Sequence, residues 1–307
     1  GFDSRGGGGT GGDRTSILFS GVIANGTGGG VLNLSLNITP QTASTAASPH
    51  PTNVSLSGIN TFTGSLTALR GNGGATSWLT IGGERWSDGS FAANNPQYGR
   101  QGTGYLAGPS NDGVFTSAIN FGNTAGRIVN LDYFSSANQT WAGVIGGGGN
   151  SYGAIVKEGT GTLTLSNANL YSSLTTIGSG VLMLGFGNNG NGVTSNILPS
   201  TTDLWMGLGA SYAPIAANAA TNISGGGFGG ILQLGGSAAS ATQTVATLNT
   251  AASTANSIIL GANRTLTITS STVTTGSNSA LNINTSAGGN NGATVGTSIM
   301  VFGGTPT

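Results

Sequence analysis

Leu32, Leu34, Leu36 and Ile38 alternate with Asn33, Ser35 and Asn37. A period of two sets apolar side chains on one face of a β-strand and polar ones on the other. Shorter copies recur at Val54/Leu56, Leu79/Ile81, Ile119/Phe121, Val129/Leu131/Tyr133, Leu163/Leu165, Leu182/Leu184, Leu232/Leu234, Ile258/Leu260, Leu266/Ile268, Leu281/Ile283 and Ile299/Val301. Gly or Asn bounds nearly all of them, which predicts many short strands joined by turns. One stretch differs. Between residues 237 and 260 there is no Gly or Pro, and Ala238, Ala241, Val245, Leu248, Ala252 and Ala255 recur at helical spacing. That stripe is mostly alanine in a Thr-rich segment, so 244–248 reads better as a strand.

Short strands with Gly-rich turns fit a sandwich, a barrel or a solenoid, and internal repetition separates them. Residues 54–64 line up with 163–173 at a constant offset of 109, and Gly230-Ile-Leu-Gln-Leu-Gly235 repeats Gly180-Val-Leu-Met-Leu-Gly185. Units that cannot close a core alone must stack, and parallel stacking predicts a β-solenoid. At roughly 20–25 residues per coil and about 4.8 Å rise, the expectation is about 12–15 coils in a rod of roughly 60–70 Å. The division expected is a flexible Gly-rich arm over 1–15 and one continuous solenoid over 16–307, with an aromatic and charged excursion around 84–134.

Lys157-Glu-Gly-Thr-Gly-Thr-Leu163-Thr-Leu165-Ser-Asn-Ala-Asn169-Leu-Tyr171, continuing through Thr175-Thr-Ile-Gly-Ser-Gly180-Val-Leu-Met-Leu-Gly185, resembles the autotransporter-associated β-strand repeat. That family is also called the passenger-associated transport repeat. Asn167, Ser173 and Leu174 stand where it usually has Gly; 54–71 resembles a degenerate second copy and 230–236 the tail of a third. The resemblance implies an all-β, right-handed parallel β-helix, secreted and displayed at or beyond the surface of a Gram-negative-type bacterium. It brings no catalytic residues with it.

Composition narrows the function. Gly, Ser, Thr and Asn supply about half the residues, all poor in helix interiors. Charged residues make up 5 %, eight basic against eight acidic, so the field that draws nucleic acid or an anionic membrane is missing. No window supplies the roughly 20 apolar residues of a membrane helix. No cysteine and a single histidine, His50, leave no metal cluster or cofactor to propose. Gly8 to Ser16 fits a calcium nonapeptide except at Thr15, where a large apolar residue is needed, and one copy cannot build a site that requires stacked neighbours. Scattered carboxylates such as Glu84, Asp88 and Asp132 are poor material for sugar hydrolysis, which needs a pair.

Two sets of residues remain candidates. Aromatics cluster between 78 and 152, and Trp78, Trp86, Tyr98, Tyr105 and Trp141 are read as packing onto the column, a subunit interface or a glycan-binding face. Ile17, Leu18, Phe19, Val22 and Ile23 near one end, and Ile299, Val301 and Phe302 near the other, lack the polar character of a solenoid cap and are read as assembly strands. The expected function is a non-enzymatic, extracellular structural protein that self-associates end to end, with strand addition by the arm as a further route. An adhesin that binds glycan or a host surface is the alternative, and a polysaccharide-active enzyme ranks third.

Overall fold

A computed structural model of the chain describes residues 2–4, 15–38, 52–70, 77–86, 98–108, 112–122, 128–146, 152–207, 229–270, 273–285 and 299–302. The alternations singled out above lie in strands, with Leu32 and Ile38 just outside Leu34–Asn37, and the Ala-striped stretch forms the strands Ala241–Val245, Thr247–Thr250 and Ala255–Leu260. Apolar positions at 241, 245 and 248 also satisfy strand parity, and the intervening threonines favour the extended backbone.

The described strands wind into nine coils with three faces. Face I begins with β1 (Phe2–Ser4) and β2 (Thr15–Phe19). It continues through Thr52–Leu56, Ser77–Ile81, Val129–Phe134, Gly153–Glu158, Thr175–Ile177, Asp203–Met206, Thr247–Thr250 and Val273–Thr275, one strand per coil. From β2 onward every pairing in this face is parallel. Face II starts as Ile59–Asn60 beside Tyr105–Leu106, then runs in register from Val114–Phe115 through Gln139–Trp141, Thr162–Leu165, Gly180–Phe186, Gly230–Gly236 and Ala255–Leu260 to Ala280–Asn284. Face III holds Leu34–Asn37, Leu66–Leu69 and Ile119–Phe121 in the first coils and Ala241–Val245, Arg264–Ile268 and Ile299–Phe302 in the last. Between them, backbone bonds at Ile145, Leu170, Ile197 and Asn196 carry the ladder on.

The coil number is lower than expected. Compact coils run 22–28 residues between successive face I strands, but coils 1, 3 and 7 run 37, 52 and 44. Nine coils at about 4.8 Å stack to roughly 40 Å. Residues between faces share the Gly/Ser/Thr/Asn composition of tight turns, so composition alone hides how many belong to the column.

Inward positions form ladders. Leu163, Leu182, Leu232, Ile258 and Ile283 are successive register partners in face II, as are Trp141, Leu165, Leu184, Leu234 and Leu260. Each of these side chains that is fully buried contributes about 1.5–3 kcal/mol. The pairing of residues 180–185 with 230–235 places the sequence repeat in exact translation along one face. The 109-residue repeat is different: Val54 lies in face I and Leu163 in face II. What recurs is a corner. Asn60 Oδ1 accepts from Ile23 N at 3.1 Å, and Asn169 Oδ1 accepts from Ile145 N at 2.8 Å. Phe62 and Tyr171, two residues on, are both buried. A strand followed by an Asn-x-aromatic turn serves at both places, so the repeat marks local geometry.

Candidate interaction surfaces

The candidate aromatics separate by depth. Trp78 and Trp141 are buried, and Trp141 packs edge-on against Tyr133 at 5.7 Å between centroids. Neither can offer its ring to a glycan or a partner, which corrects that expectation for both. Trp141 stands in a face II ladder between Phe115 and Leu165, so its parity directs it inward. Trp78 takes an outward position in face I and is covered from outside. Tyr105 is half-buried, in the short strand paired to Ile59–Asn60. Trp86 and Tyr98 are register partners in an antiparallel hairpin, Glu84–Trp86 with Tyr98–Arg100, whose first strand lies against face I strands of coils 1 to 3.

Face I is buried on both sides over much of its length. Its outward residues Asn53, Ser55, Trp78, Thr80, Asn130, Asp132, Ala154, Val156, Leu174 and Thr176 are all buried. Parallel strands covered on both faces read as continuous rather than alternating runs. Cover ends at coil 7, where Asp203 is exposed and Trp205 half-buried. Thr247 Oγ1 donates to Asp203 Oδ1 at 2.7 Å, and Asn249 Nδ2 to Thr247 Oγ1 at 2.9 Å. Trp205 escapes attention in the sequence because it stands far from the aromatic cluster. Its signal is parity, since Leu204 and Met206 take the inward positions on either side.

Lys157 is the other feature that the sequence does not single out chemically. Its position, in register between Tyr133 and Ile177, points inward. The buried Nζ donates to the carbonyl oxygens of Glu158, Gly159 and Ser179 at 2.8, 2.9 and 3.2 Å, and lies 5.6 Å from the Tyr133 ring centroid. The cation thus ties the face I–face II corner of coil 5 to that of coil 6. Burial pulls its pKa down to about 8, against the opposing pull of Asp132 and Glu158. Burial pushes the Tyr133 hydroxyl up to about 12, with Ser135 lowering it and Tyr105 raising it, and also drives Tyr171 upward.

At the column ends the ladders run out. In face I, Val54, Leu79, Leu204 and Leu248 are buried, but the outermost partners Ile17 and Val273 are only partly so. Ile283, the last rung of its face II ladder, is 42 % exposed. Among the candidate assembly residues, Ile17, Leu18, Phe19 and Ile23 are half-buried and Val22 is exposed. Ile299, Val301 and Phe302 form the last face III strand. Residues 8–14 of the calcium-like run and His50 lie outside the described residues, and Thr15 and Ser16 of that run open β2. Among the described residues, no three His, Cys, Asp or Glu come together as a metal site would require, and no helix is long and apolar enough to cross a membrane.

Against known proteins, residues 155–184 match the passenger-associated transport repeat family model. The match covers most of coil 5 and, in coil 6, the face I strand and most of the face II strand, including Lys157 and Gly180. No curated protein and no solved structure matches the chain.

Proposed function

We propose that this chain is a non-enzymatic, extracellular structural segment, a surface-displayed β-solenoid of a Gram-negative-type bacterium that stacks end to end with copies of itself. The observation that carries the reading is the state of the ladder ends. Ile17 at one end and Val273 and Ile283 at the other are the least covered members of otherwise buried columns. Stacking the last coil of one copy on the first coil of the next continues the same apolar ladders and backbone pairing. The passenger-associated repeat supports the surface setting.

An interface of this kind contains almost no charge, so salt has little to screen. Sedimentation velocity in 20 mM and 1 M NaCl is expected to show the same association midpoint within about twofold, with rods of multiple length in negative stain. Dissociation in 1 M NaCl, or a monomer at every concentration and salt, overturns the reading.

The hairpin favours a second reading, adhesion, because it places Trp86 opposite Tyr98 outside the regular coil. The double variant Trp86→Ala/Tyr98→Ala separates the two. Under the structural reading, glycan-array and cell-surface binding are absent or unchanged and association is intact. Loss of such binding with intact association makes the hairpin an adhesive surface, and loss of association makes it a subunit interface.

A further inference from the structure

The two column ends differ in one respect. The outer edge of Val273–Thr275 carries no further strand among the described residues, whereas the outer edge of β2 is occupied by β1. Phe2, Asp3 and Ser4 pair antiparallel with Phe19, Leu18 and Ile17. Every other pairing in face I is parallel, so β1 reverses the ladder at the edge where a neighbour's Val273–Thr275 would extend it.

We propose that β1 is an edge guard, which competes within the chain against a second copy's last coil for β2 and holds back end-to-end association until displaced. This rests on the stacking reading above. Two features make the guard removable. It is three residues long against the five of β2. Its covering is partial, since Ile17, Leu18 and Phe19 stay only half-buried beneath it. Ten residues of the same chain join β1 to β2, and a linkage that short gives an effective concentration in the millimolar range, enough to suppress a dilute competitor. Antiparallel pairing suits a guard, because it satisfies the edge amides of β2 without forming a coil that could accept another.

The test compares the full chain, a variant lacking residues 1–14, and disulfide locks that clamp β1 down. Adjacent antiparallel pairs alternate between Cα separations of about 5.5 and 4.5 Å, both within disulfide range. Phe2→Cys/Phe19→Cys and Asp3→Cys/Leu18→Cys therefore cover both geometries, in a chain with no other cysteine. The deletion is expected to lower the association midpoint in sedimentation velocity at least tenfold. The oxidised lock is expected to remain monomeric at concentrations where the same protein, reduced, associates. That comparison is internal to one folded protein and holds even if the deletion misfolds. Equal midpoints for deletion and full chain, with oxidised and reduced locks associating alike, overturn the guard and leave stacking intact. A full chain that associates while the deletion does not overturns it in favour of strand exchange through β1. No association by any form removes the stacking reading and the guard with it.

Discussion

Replacing Gly180 by alanine is expected to cost at least about 3 kcal/mol, enough to unfold a marginal domain. Gly180 opens the face II strand at the corner tied by Lys157, with φ of 64°. A side chain in that left-handed region costs about 1–2 kcal/mol by itself. The added Cβ would also press on the Gly159 carbonyl oxygen of the coil beneath and stand 2.7 Å from Lys157 Nζ and 2.8 Å from the Gly161 carbonyl oxygen. Backbone on the next coil cannot yield without opening the parallel ladder, so strain adds to the dihedral cost. Gly190→Ala is the control, because Gly190 has a φ of 71° and no atom within 4 Å of its would-be Cβ. It is expected to lose only the dihedral term. Thermal unfolding followed by circular dichroism separates the two; similar midpoints for both variants would show that coil-to-coil closeness at Gly180 contributes nothing.

The same corner shows why parts of the architecture are legible in sequence and parts are not. Where an inward Leu is flanked by Thr, as at Leu163 and Leu165, one pattern carries strand, face and partner together, since a register slip of one residue would turn the leucines to solvent. Gly180 and Gly230 recur in exact register because each opens the same corner one coil apart. Legibility fails where composition and parity disagree. Trp78 sits at an outward position yet is buried, because a cover over face I, and not strand parity, decides its exposure. Trp205 is visible only once that cover is known to stop at coil 7. β1 holds a single large apolar residue, Phe2, beside a glycine tract, and short segments of that kind are indistinguishable from a tail until the chain reverses onto β2. Lys157 is read first as a repeat signature, and its role as a cation holding three carbonyls follows only from the coil stacking that brings Ser179 within reach.

Lys157→Ala is expected to destabilise the column by about 2–4 kcal/mol, because it removes a buried stem and leaves carbonyl oxygens of two coils without their charged donor. Lys157→Met keeps the bulk and should cost less, about 1–3 kcal/mol at pH 7. The two variants differ from the native chain most clearly in pH dependence. An unfolded lysine titrates near 10.4, whereas burial brings folded Lys157 to about 8. Below pH 8 both states hold the proton, and this group contributes no slope. Between about pH 8 and 10 the unfolded chain binds more protons than the folded one, so native stability rises with pH, by at most about 3 kcal/mol. Tyr133 acts in the opposite direction: its folded pKa of about 12 lies above the unfolded value near 10, so the unfolded chain loses its proton first and stability falls above pH 10. The native unfolding midpoint is therefore expected to climb from about pH 8, peak near pH 10 and decline. Lys157→Met should lose the climb and keep the decline. A native profile flat between pH 8 and 10, or a Met variant with the same climb, would show that the three carbonyls hold the ammonium at its ordinary pKa and that burial at this corner carries no cost in charge.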